Sequence, residues 1–138
     1  MKVRVPTHEK LTQPEAVASI FQAILSAEPP HDQDKEHCWL ACLSSKNTIK
    51  AIELVSLGTL DASLVHPRDI FRFAIASGSA RIAVIHNHPS GDVEPSEDDR
   101  LLTARLAEAG KIIGIELLDH IVIGLPDAHC SLKKKGLL

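Results

Sequence analysis

The chain has no tyrosine, one tryptophan and three phenylalanines, so it lacks the aromatic residues that a base-stacking surface interleaves with basic ones. Phe21, Phe71, Phe73 and Trp39 read instead as core. Cysteine is scarce and odd in number, with Cys38, Cys42 and Cys130 alone, which fits reduced thiols better than a disulfide framework. An excess of positive charge is also missing. Fifteen Lys+Arg against eighteen Asp+Glu leave a formal charge of −3, so no global field holds phosphate backbones and nucleic acid is not supported by charge. No apolar run approaches the ~20 residues of a membrane span, and Lys2 and Arg4 are not followed by the apolar region of a secretory signal. The expectation is a cytoplasmic protein with no membrane partner. The His-x-Glu and Pro-Cys-x-x-Cys pair of zinc nucleobase deaminases does not occur either.

What is present is 138 residues, 44% of them hydrophobic, enough for one domain whose core needs no disulfide or obligatory metal. Eight histidines stand out. Thr12-Gln13-Pro14-Glu15, followed by Val17, Ile20, Phe21, Ile24 and Leu25, predicts a helix over residues 13–28. The proline-rich, charged stretch after it reads as a loop. Residues 38–43 and 49–57 read as a hairpin or adjacent strands. His66-Pro67-Arg68-Asp69 opens a second helix, and Arg81 to Ile85 has the composition of a strand buried on both faces. Ser96-Glu97-Asp98-Asp99 opens a third helix closed by Gly110, and residues 112–118 and 120–123 read as short strands. Helices and strands mixed in one chain predict an α/β, three-layer arrangement, with residues 1–35 as an N-terminal helix and loop packed on, or part of, a domain over 36–138.

The chemistry concentrates where the buried strand empties into His86-Asn87-His88-Pro89-Ser90-Gly91. In extended backbone, residues two apart share a face, so the His86 and His88 imidazoles can meet at one ion. Pro89, Gly91 and Pro95 turn the chain back, and Asp99 in the first turn of the next helix can bring a carboxylate to the same spot. Two imidazoles and a carboxylate form a common catalytic zinc set with one position left for water. Ser96 and Asp99 also read as an ordinary capping box. Glu53, apolar on both sides, is costly to bury on a central strand, whereas on an edge strand it and Lys50 would face water. A zinc hydrolase needs a carboxylate base beside its water, and Glu53 is the candidate this reading selects. Asp119-His120 precedes a β-branched strand and offers an orienting partner for a ligating imidazole.

Glu53, the His86-x-His88-Pro89 run and Ser96-x-x-Asp99 together resemble the JAMM motif of the JAB/MPN metalloproteases. The wording His86-Asn87-His88-Pro89-Ser90-Gly91 resembles the RadC branch of that family. The likeness extends to Gly58-Thr59-Leu60, His66-Pro67-Arg68-Asp69, Asp119-His120 and Ser131-Leu132, covering roughly residues 36–138. The resemblance implies a JAB/MPN-like mixed sheet flanked by helices, of cytidine-deaminase-like architecture. It implies Zn2+ on His86, His88 and Asp99, with Glu53 as general acid/base and Ser96 stabilising the oxyanion. The reaction implied is cleavage of a peptide or isopeptide amide bond in a peptide or protein substrate. Longer RadC-like proteins also carry a helical N-terminal module resembling a helix-hairpin-helix, for which residues 1–35 leave no room. Two other readings stand beside the hydrolase: a repair-associated protein that binds or processes nucleic acid, and a non-catalytic MPN interaction domain.

Overall fold

A computed structural model describes residues 13–58 and 65–138. Thr12, the expected cap of the first helix, and Thr59-Leu60 lie outside the described residues. Helix α1 (Pro14–Ser26) starts with proline at its first position and has no side-chain cap from Gln13. Its Val17, Ala18, Phe21 and Leu25 are buried against the sheet. The proline-rich stretch expected as a loop contains one helical turn, α2 (Pro30–Gln33).

Strands β1 (Glu36–Leu43) and β2 (Ile49–Gly58) form the expected antiparallel hairpin. Helix α3 (Pro67–Ala76) begins where proline fits the first turn, and the His66 ring accepts the Arg68 N–H as its cap. Strand β3 (Arg81–Asn87) leads through the proline-glycine loop into α4 (Glu97–Ile113). That helix ends at Gly114, left-handed at φ 87°, and not at Gly110. Gly110 is a glycine for a different reason: a Cβ there would stand 2.4 Å from the Ile115 carbonyl oxygen. Ile112 and Ile113, read as strand, therefore belong to the helix, and the two expected strands merge into one, β4 (Glu116–Gly124). A short strand, β5 (Ala128–Ser131), follows.

The described strands form one mixed sheet in the order β2-β1-β3-β4-β5, with β3 and β4 parallel and the other pairs antiparallel. Side chains alternate between its faces. Trp39, Ala41, Leu43, Ala83, Ile85, Ile121 and Ile123 pack under α1. Cys38, Leu40, Cys42, Ile82 and Val84 pack under α3 and α4. The result is the three-layer α/β arrangement. Gln22 of α1 donates to the carbonyls of Gly124 and Ala128 at 3.3 and 2.9 Å, tying that helix across the β4–β5 turn. No helix among the described residues is long and apolar enough to cross a membrane.

Candidate metal centre

The site lies where β3 leaves the sheet. His86 belongs to the strand and sits opposite Cys38 of β1 and Val122 of β4, so its ring is fully buried on the α4 side. His88 follows the strand, but its N–H still bonds the Ile123 carbonyl at 3.0 Å, prolonging the ladder. The two rings therefore meet as the two-residue spacing requires, with their Nε2 atoms 3.0 Å apart. The capping box brings in the third residue. Ser96 Oγ accepts the Asp99 N–H at 3.2 Å, and Asp99 Oδ2 accepts the Ser96 N–H at 2.7 Å. So fixed, the buried Asp99 carboxylate places Oδ1 2.8 Å from His86 Nε2 and Oδ2 3.2 Å from His88 Nε2. The capping and ligand readings of Asp99 are thus compatible, because one carboxylate can serve both.

Three observations test whether a cation fits here. His88 Nδ1 lies 2.7 Å from the Asp92 carbonyl, which can only accept, so a neutral His88 carries its proton there and leaves Nε2 as a bare lone pair. Asp99 Oδ1 is buried and has no hydrogen bond, although His86 Nε2 is close to it. Without a cation, desolvation would raise the Asp99 pKa, but hydrogen bonds from the protonated forms of the two imidazoles and from the Ser96 N–H outweigh it and hold the carboxyl well below the usual range, so it is ionised. With both rings neutral and protonated at Nδ1, bare lone pairs converge on one point, the environment a divalent ion neutralises. His86, Asp99 and His120 also form a buried group whose ligand atoms lie within 4.8 Å of one another. In that second set both His120 nitrogens are already engaged, Nδ1 by Thr103 Oγ1 at 2.6 Å and Nε2 by His86 Nδ1 at 2.8 Å. His120 thus stands behind His86, in the orienting position.

A cleft of about 410 Å3 opens over these residues, lined by Glu36, His86, His88, Pro89, Ser90, Ser96, Asp98 and Asp99. Ser96 is exposed to it, with its hydroxyl proton not consumed by the cap. Two sequence expectations need correction. Glu53 does not line the cleft. It sits opposite Leu40 on β2, the outer strand of the described sheet and two strands from His86, with its charge felt at Cys42. The glutamate at the cleft, beside Asp98 and Asp99, is Glu36, the first residue of β1, whose charge is felt at His88. An acid between a charged loop and a strand looks ordinary in the sequence, whereas one inside an apolar run does not. The second correction is Asp119. Strand alternation turns it to the α1 face, away from His86 and His120, and its carboxylate accepts from Ser131 Oγ (2.5 Å), the His120 N–H (2.7 Å) and the Lys133 N–H (3.1 Å). It secures the C-terminal segment.

Asn87, between the two histidines, has a structural role that its place in the sequence does not announce. Its amide oxygen accepts the His37 N–H at 2.5 Å and its amide nitrogen donates to the Lys35 carbonyl at 3.0 Å. One side chain thereby grips the backbone on both sides of Glu36.

Comparison with known proteins gives the family. A family model described as the RadC-like JAB domain matches residues 11–137. The chain is similar to a UPF0758 protein of Desulforamulus reducens, 50% identical over 114 residues, which cover 83% of this chain and 50% of the relative. A UPF0758 protein of Alkaliphilus metalliredigens is 43% identical over 131 residues, 95% of this chain and 54% of the relative. One from Methanosarcina barkeri is 47% identical over 107 residues, 78% of this chain and 46% of the relative. The chain spans about half the length of the curated relatives it matches.

Proposed function

Because the chain belongs to the RadC-like JAB domain family, we propose that it is a zinc-dependent hydrolase of peptide or isopeptide amide bonds. The observation that carries this reading is the convergence of His86 Nε2, His88 Nε2 and the Asp99 carboxylate in one cleft with Glu36 and Ser96. His86, His88 and Asp99 would hold the zinc ion, which would supply a Lewis acid for the amide carbonyl and lower the pKa of the attacking water. Glu36 takes the proton from that water and delivers it to the departing amide nitrogen. Ser96 donates its hydroxyl to the oxyanion that develops on the carbonyl. The backbone of Asp92 and the ring of His120 keep the two imidazoles aimed.

A nucleic-acid role finds less support, since the cleft-lining residues include the carboxylates of Glu36, Asp98 and Asp99 and no lysine or arginine. The test is metal content and peptidase turnover in four proteins. The native chain should carry about one zinc, His88→Ala and Asp99→Ala should lose it, and Glu36→Gln should keep it while losing turnover. Metal bound equally in all four, or full turnover by Glu36→Gln, would overturn the reading.

A further inference from the structure

Behind His86 the structure holds a chain of side chains that has no role in the capping box or the cleft. Thr103, on α4 one turn after Asp99, is fully buried, and its hydroxyl lies 2.8 Å from the Asp99 backbone carbonyl and 2.6 Å from His120 Nδ1. His120 Nε2 lies 2.8 Å from His86 Nδ1. The hydroxyl has one proton, and the Asp99 carbonyl can only accept. Once that proton goes to the carbonyl, every later direction is set. His120 must donate from Nδ1 to Thr103 Oγ1, which leaves His120 Nε2 as an acceptor. His86 must then donate from Nδ1 to His120, which leaves His86 Nε2 as a bare lone pair facing Asp99 and His88. With the hydroxyl turned to His120 instead, the sequence reverses and a proton sits on His86 Nε2, in the place a metal would occupy.

We propose that Thr103 is a positioning residue that sets the direction of this relay and so fixes His86 as the tautomer with Nε2 free for metal. The proposal rests on the metal-site reading above. It couples two ligands through one helical turn, since the carbonyl that terminates the relay belongs to the residue whose carboxylate is itself a ligand. The role needs a hydroxyl that donates one way and accepts the other, so serine replaces threonine and valine, of the same shape, does not.

The experiment compares the native chain with Thr103→Val and Thr103→Ser, using zinc competition against a chelator, thermal unfolding of the metal-free forms and long-range 1H–15N spectra of the imidazoles. The zinc-loaded native chain should show His86 and His120 both protonated at Nδ1. Thr103→Val should bind zinc about 10- to 100-fold more weakly, and Thr103→Ser should bind close to native. Native zinc binding that Thr103→Val retains in full would overturn the relay and leave the metal site standing. A His120 proton on Nε2 in the loaded native chain would overturn it too, without any variant having to fold. Failure of the native chain to take up zinc at all would overturn the metal-site reading, and the relay with it.

Discussion

Gly124, at the end of β4, leaves the space into which Gly91 of the proline-glycine loop settles: a Cβ on Gly124 would stand 3.2 Å from both the Cα and the carbonyl oxygen of Gly91. Val93 Cγ1 would be 3.3 Å away. The same loop carries the Asp92 carbonyl that orients His88. Gly124→Ala therefore pushes the loop outward and turns His88 off its aim. Unfolding should show a loss of about 1–3 kcal/mol, typical of overpacking, and a zinc titration should show weaker binding.

The two acidic candidates separate cleanly. Glu53→Gln changes a carboxylate outside the cleft, so turnover and zinc content should stay near native, while Glu36→Gln should lower turnover by about 10²- to 10⁴-fold, the usual contribution of a general base. Steady-state kinetics on the two variants side by side decide between them.

Zinc affinity should depend on pH. The hydrogen bond to Asp99 holds the His88 pKa above its ordinary value, with Asp92 and the surrounding carboxylates adding to it against the opposing effect of burial. A proton on Nε2 competes with metal, so binding should begin to weaken at a pH above the ordinary imidazole value of about 6.5 and continue to fall as the solution becomes more acid. Calorimetric titrations across this range check the direction.

His120 gives the metal-free protein an acid-sensitive core. Burial, reinforced by the nearby His86, pushes its pKa down to about 3. Its folded pKa lies below the unfolded value of about 6.5, so its contribution to stability is complete above that value and is lost as pH falls toward about 3. Urea unfolding of metal-free protein at several pH values should show this slope, and His120→Gln should lack it.

Asp119 should matter for stability and not for metal. Asp119→Asn keeps one acceptor oxygen and turns an amide N–H2 toward donors that previously met a carboxylate. The melting temperature should drop, consistent with about 1–3 kcal/mol for a buried unsatisfied group. The zinc affinity should not move, because the side chain lies on the far face of the sheet.

Much of this architecture was legible in the residues. The capping box, Pro67 at a helix start and the run from Arg81 to Ile85 each encode a local rule that tertiary contacts did not override. The ends of α4 and β4 were harder, because Gly110 and Gly114 both resemble a helix stop, and only the approach of Ile115 to Gly110 distinguishes them. The convergence of His86, His88 and Asp99 was readable because two-residue spacing on a strand and three-residue spacing at a helix start are local geometries. Glu36 was not, since its place at the cleft comes from β1 lying beside β3, a pairing across 50 residues. Thr103 and His120 meet only through the packing of α4 on β4, and no local spacing announces that.

The grip of Asn87 on the backbone around Glu36 has a consequence for how such a site tolerates change in length. Glu36 and the first of the histidines are 50 residues apart along the chain but are joined across it by that amide and by the pairing of β1 with β3. Residues added or lost in the hairpin turn should leave the distance between Glu36 and the histidines unchanged. Chain length between the two halves is thereby uncoupled from their separation in space, which the β1–β3 pairing and the Asn87 amide together keep constant.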